Sequence, residues 1–295
     1  MMDRPNSVMG EIIAGTLALA ARLEGEGQYN IAKLLRAGAA SAVNRAAFRL
    51  VLPADKAQLT GEIMRAVGAL SILEVEKSLL AALQQGAAAM AEERLPLIDV
   101  TPNPYVCRTC GHIVLEKPAA DCPGCSAHPS TFRAFLPVYW LEAFDPFQVL
   151  EHLALTPEIV SGYLVGLSED AVTQQPPDGG WSIYQILLHL RDAQYLLNFR
   201  LGLMQEQEKP TLESQAVFEW ADSEAQDPSN PAPVFESYRQ SRQQTLTRLE
   251  GLPLKDWWRM GLHQEFGTVT ILQQASYFAA HELTHLPQLA KLRTD

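Results

Sequence analysis

Four cysteines fall in one short window, Cys107-Arg108-Thr109-Cys110 and Cys122-Pro123-Gly124-Cys125, and the chain has no others. Two C-x2-C hooks read as a tetrathiolate metal site. Each hook puts two thiolates on a tight turn, with Gly111 letting backbone amides face sulfur. Placed face to face, the hooks make a tetrahedron for Zn2+ or for iron. Spacing, pairing and count favour this reading over two disulfides or four unrelated thiols.

The seven histidines all follow residue 111. His281 and His285 stand at i and i+4, so on a helix they project side by side from one face. Ile271, Ala275 and Phe278 fall near the same stripe and turn that face inward. His189 lies on the Ile186 and Ala193 face of an earlier helical segment, also inward. Three imidazoles from two helices can hold a divalent metal (Zn2+, Ni2+ or Fe2+) and leave positions open for water or substrate. Hydrogen-bonded core histidines are the competing reading. His281-Glu282-Leu283-Thr284-His285 also spells H-E-x-x-H, with Glu282 as general base, ligand partner or half of a bundle salt bridge. A metalloprotease is disfavoured, because no His, Glu or Cys follows His285 to serve as third ligand.

The elements that must position these groups are mainly helical. Residues 1–98 are Ala-rich. A helix capped at Asn6 or Ser7 runs to about Leu23, a second spans about Tyr29 to Leu50, and helical sequence of uncertain helix count continues from about Asp55 to Arg94. Residues 101–140, rich in Pro and Gly, predict short strands and turns around the metal. From 144 to 295 the pattern is a four-helix bundle. Its signals are a cap at Thr156-Pro157-Glu158, a capping box at Ser182 opening a helix to about Gln205, and a helix after Pro231 and Pro233 ending at Gly251. A last helix runs from about Thr268 to Leu292, and the acidic stretch Glu206 to Pro233 reads as a loop or lid. Net charge is −11 with a sequence pI of about 5.1. That leaves no global basic field for nucleic acid or anionic membrane. The longest apolar run, Ile12 to Ala21, is too short to span a bilayer, and thiols kept for a metal suit a reducing cytosol, so a soluble cytoplasmic protein is expected.

Tyr105 to His112, with Cys122-Pro123-Gly124-Cys125, resembles the rubredoxin-like, zinc-ribbon-sized tail of rubrerythrins. The run Glu26-Gly27, Ile31-Ala32 and Ala39 to Ala46 resembles a rubrerythrin helix, which implies a ferritin-like front end. Ala42 and Arg45 stand where that family carries its Glu-x-x-His pair, so no di-iron centre is expected, and Glu11, Glu62, Glu74 and Glu76 read as solvated. Gly180-Trp181-Ser182-Ile183, His189, Arg259 to Thr270 and the His281–His285 pair resemble the DinB-like superfamily, which includes bacillithiol and mycothiol S-transferases. This implies metal ligation by His189, His281 and His285, and places His263, in the loop before the last helix, at a pocket wall or a helix cap. The implied function is a metal-dependent thiol transferase or detoxification enzyme acting on a small thiol or other small molecule. Trp181, Tyr184, Trp257 and Trp258 are candidate pocket walls. The alternatives are a rubredoxin-like electron-transfer protein and a non-catalytic metal-binding protein. An incompletely covered N-terminal helical face points to a homodimer.

Overall fold

The computed structural model describes residues 4–53, 55–176, 179–214 and 230–294. Asn6 and Ser7 lie inside the first helix, so neither occupies the cap position; most of the acidic stretch, 215–229, lies outside the described residues. The chain divides into two compact units, one built from Met1–Arg94 with Val106–Val114 and Pro118–Arg133, the other from the remainder, chiefly Ala134–Asp295. Among the described residues no helix is long and apolar enough to cross a membrane.

The first unit holds four helices: α1 (Arg4–Gly25), α2 (Tyr29–Phe48), α3 (Lys56–Ile72) and α4 (Lys77–Ala91). The extensive packing pairs α1 with α2 and α3 with α4, so the four helices form two hairpins. Small side chains make those contacts close: Ala20, Ala32 and Ala39 are buried in one hairpin, and Val67, Ala87 and Ala89 in the other. Gly27, at φ 74°, supplies the left-handed turn between α1 and α2. Asp55 caps α3, accepting from the backbone N–H of Ala57 and Gln58 at 2.8 and 3.0 Å. The helical stretch after Asp55 breaks at Glu74, whose φ of 58° no helix continues. Strands β1 (Tyr105–Cys107), β2 (Ile113–Val114) and β3 (Phe132–Ala134) form a small sheet in the order β2-β1-β3, as the turn-rich window requires.

The second unit is a helical bundle of α5 (Pro146–Leu164), α7 (Ile183–Glu206), α8 (Ala232–Glu250) and α9 (Ile271–Thr294), with a short α6 (Glu169–Thr173) between the first two. Both α8 and α9 pack against α5 and α7, so the consecutive helices α5 and α7 sit across the bundle from each other. Ser182 caps α7 in the expected box with Gln185. The start of α5 corrects the sequence reading. Asp145 is the cap, in a box with Gln148, Pro146 opens the helix, and Thr156 and Pro157 lie buried within it. An internal proline leaves the carbonyl four residues back without its N–H partner. Here that carbonyl belongs to Leu153, and Arg242 Nη1 of α8 donates to it at 2.7 Å. The helix survives because a cation from another helix replaces the missing amide.

Arg242 is fully buried and also donates to Gln194 Oε1 of α7 at 2.6 Å and to the Glu282 carboxylate of α9. One guanidinium therefore ties all four bundle helices together. Before α9 comes a second small sheet, β4 (Thr211–Leu212), β5 (Met260–His263) and β6 (Gly267–Thr270), with β4 parallel to β5 and β5 antiparallel to β6. The last helix thus begins at Ile271 rather than at Thr268, and it continues through Pro287 to Thr294. His263 ends a strand rather than lying in a loop, and the alternation along β5 turns it inward.

Two candidate metal centres

The cysteine window folds into two hooks with the same backbone pattern. Gly111 N–H donates to Cys107 O at 2.9 Å and Ser126 N–H to Cys122 O at 2.7 Å; Cys107 N–H donates to His112 O at 2.9 Å and Cys122 N–H to Ala127 O at 2.8 Å. The residue after each second cysteine takes left-handed φ, 84° at Gly111 and 58° at Ser126. The hooks approach so closely that a Cβ on Gly124 would meet Cys110 Sγ at 3.3 Å. All four sulfurs lie within 4.8 Å of one another, with Cys107–Cys125 at 3.8 Å and Cys110–Cys122 at 3.6 Å. A tetrahedron with metal–sulfur bonds of about 2.3 Å has edges of roughly 3.8 Å, so the spacing suits Zn2+ or iron.

The sulfurs are not equivalent. Burial pushes the Cys107 thiol up, but the N–H groups of Cys110 and Thr109, the Thr131 hydroxyl and Cys125 outweigh it and hold it at about 6. At Cys125 the N–H of Ala127 favours the thiolate, yet burial and the other three sulfurs push it up to about 12. Four thiolates this close need a cation between them. Both hairpins grip the hooks. Glu76, at the start of α4, accepts from Ile113 N–H at 2.8 Å and lies 2.9 Å from His112 Nδ1, while Glu24 of α1 faces Arg108 at 3.7 Å. Glu76 is therefore engaged with the metal hook rather than solvated.

In the second unit, α7 and α9 bring His189, His281 and His285 together as the spacing predicts, with ligand atoms within 4.8 Å of one another. His281 Nε2 lies 3.3 Å from His189 Nε2 and 3.2 Å from His285 Nε2. Metal–nitrogen bonds of about 2.0–2.1 Å at tetrahedral angles put ligand nitrogens about 3.3–3.4 Å apart, so the donors fit a divalent cation. His285 Nδ1–H donates to Gln288 Oε1 at 2.9 Å, which leaves Nε2 with its lone pair facing the other rings. Burial, then the neighbouring imidazoles, hold His189 at about 4 and His281 at about 3, and burial lowers His285 despite Gln288. All three are neutral near pH 7, as ligands must be.

Aromatic rings wall the cluster. Trp181 contacts His189 and His285 with centroids 4.9 and 6.1 Å away, whereas Trp140 and Tyr277 contact His281 at 6.0 and 5.8 Å. Of the four expected wall residues, Trp181 is the one with ring contacts to the imidazoles. Tyr184 and Trp257 are buried in the core, and Trp258 is half exposed. Tyr277 was legible as the i−4 neighbour of His281; Trp140, on a short turn far away in sequence, gave no signal. Glu282 points elsewhere: it is fully buried, pairs with Arg242 and accepts from the Tyr238 hydroxyl at 3.2 Å. Burial works against charge on Arg242, and the attraction of Glu282 reverses that, so the guanidinium stays charged. His263 is also apart from the cluster. Its Nδ1 accepts from the N–H of Glu265 and Phe266 at 3.2 and 3.3 Å, so it caps the β5–β6 turn. Burial, then the Arg200 cation, hold it neutral at about 3.

Residues 152–289 match the family model of the DinB superfamily. A candidate metal-dependent hydrolase of Oceanobacillus iheyensis is 25% identical over 137 residues, 46% of this chain and 78% of that protein. YfiT of Bacillus subtilis, described as a candidate metal-dependent hydrolase of unusual four-helix-bundle topology, shares 18% identity over 51% of this chain and 89% of its own, with a TM-score of 0.45. The part of the chain that carries the three-histidine cluster on α7 and α9 is thus DinB-like, and similar to a candidate metal-dependent hydrolase.

Proposed function

We propose that the DinB-like domain is a metal-dependent enzyme that activates a small thiol and transfers it to an electrophilic carbon. The observation that carries this is the ligand set. Three neutral Nε2 donors converge with tetrahedral spacing, and among the described residues no carboxylate shares their cluster. A divalent cation there, whether Zn2+, Ni2+ or Fe2+, would keep its full charge and acidify a thiol or water in its remaining positions. Thiols ionise near pH 8.5 without help, so they need no protein base, whereas attack by water usually draws on one. Glu282, the local candidate for a base, is occupied by Arg242.

In this reading His189, His281 and His285 hold the cation, Gln288 fixes the His285 tautomer, and Trp140, Trp181 and Tyr277 exclude water and pack the apolar body of the electrophile. A carbon–sulfur bond forms, the leaving group departs with its electron pair, and the thiol proton passes to solvent. The description of the Oceanobacillus relative as a candidate metal-dependent hydrolase supports the metal and leaves water as the competing nucleophile. The cysteine site serves as a closed structural centre, since four protein sulfurs leave no position for substrate. A visible band that bleaches on reduction would instead favour electron transfer there.

The test measures conjugation of small thiols to an aryl halide, beside hydrolysis of ester and amide substrates, on protein loaded with each metal. Conjugation that disappears in His285→Ala supports the proposal. Hydrolysis without conjugation would reassign the nucleophile to water, and full activity in the variant would sink the site.

A further inference from the structure

The hairpin α1–α2 buries one face within itself and leaves a second apolar face open. On α1 the second stripe is Val8, Ile12 and Leu19, exposed by 51, 62 and 51%. On α2 it includes Ile31 and Leu34, exposed by 50 and 67%. Spacings of three, four and seven keep each set on one side of its helix, so the exposure is a face rather than scatter. The five side chains of these two stripes present on the order of 500 Å² of apolar surface in one contiguous patch. That is comparable to the apolar share of the roughly 800 Å² each partner contributes to a standard dimer interface.

Two glycines give an independent indication. Gly15 and Gly38 lie near the middle of α1 and α2, where glycine weakens a helix. A Cβ at either would meet nothing within 4 Å, so no contact among the described residues requires them. Gly15 continues the Val8–Ile12–Leu19 stripe, and Gly38 follows Leu34 on its side of α2. Missing side chains at mid-height let another helix pair come close. The lengths identify that pair. Helices α1 and α2 span 22 and 20 residues, against 17 and 15 for α3 and α4. A second α1–α2 hairpin covers the face without overhang, and an isologous two-fold contact makes one patch complementary to itself.

We propose that α1–α2 is a homodimerisation element, and that two copies of the chain close a four-helix bundle through the Val8–Ile12–Leu19 and Ile31–Leu34 faces. Sedimentation equilibrium of the full metal-loaded chain tests this. The expected mass is twice 32.6 kDa, falling to 32.6 kDa in Ile12→Glu/Leu34→Glu. Both side chains are exposed within the chain, so helix content by circular dichroism should stay unchanged. Hydrogen exchange on the wild type guards against a misfolded variant: α1 and α2 amides should gain at least tenfold protection as concentration rises through the dimer transition. A wild type that stays monomeric to 100 µM, a double variant that remains dimeric, or concentration-independent exchange in this hairpin would each overturn the assignment.

Discussion

At the residue scale, the three imidazoles are suited to be ligands because burial favours the neutral form of each ring, and at His285 the second nitrogen is fixed by Gln288. His189→Ala or His285→Ala should therefore remove one metal per chain and leave the cysteine-bound metal in place, as elemental analysis can count. Gln288→Leu keeps all three imidazoles but releases the His285 ring from its 2.9 Å hydrogen bond. Metal affinity, measured by chelator competition, should fall about 10–100-fold. The depressed pKa values set a pH dependence. Unfolded, these rings titrate near 6.5; folded, His189 and His281 titrate at about 4 and 3. The unfolded chain therefore takes up protons first, and their contribution to stability, full above pH 6.5, is lost as pH falls toward 3. Melting temperatures of metal-free protein should decline from pH 7 to 5, with a shallower slope in His281→Ala.

At the element scale, the bundle turns on Arg242, which links α5, α7 and α9 from α8. Arg242→Met removes the donor to Leu153 O and strands Glu282 as a buried charge. Losing one partner of such a pair typically costs about 3–5 kcal/mol, which urea unfolding would register. Glu282→Gln in the same chain should restore part of that loss, because the stranded charge is gone. The hooks are the corresponding element of the first unit. Their segment has little core of its own, and a tetrathiolate metal supplies on the order of 10 kcal/mol to modules of this kind. Cys122→Ser should make residues 101–140 sensitive to limited proteolysis while the helices persist; an unchanged digestion pattern would count against it. Local signals at this scale were readable where they were local. The Ser182 box was legible because cap and partner are three residues apart. The true start of α5 was missed because Thr156-Pro157 imitates a cap, and the buried guanidinium that lets the helix pass through it lies far along the chain.

At the scale of the whole molecule, the two centres sit in different compact units, so their metals should be separable. Binding to the folded state alone stabilises by about 2.7 kcal/mol when free metal is a hundredfold above its dissociation constant. Adding such a metal to stripped protein should raise the melting transition of the DinB-like domain in the wild type and leave it unmoved in His285→Ala.

Both candidate metal clusters could be read from the chain because their geometry is written in short intervals. A C-x2-C hook closes on itself, and i, i+4 histidines share a face on any helix. The inward side of His189 followed from the apolar residues one turn away. What the tertiary structure decided depends on residues brought together across tens to hundreds of positions. Glu282 has the sequence context of a catalytic base, yet its carboxylate turns to Arg242 and Tyr238 of α8. His263 was expected at a pocket wall or a helix cap, but an unforeseen strand buries it over a turn. Trp140 reaches His281 from a short turn 141 positions earlier in the chain. Spacing specifies which way a side chain leaves its own element; only packing specifies what it meets.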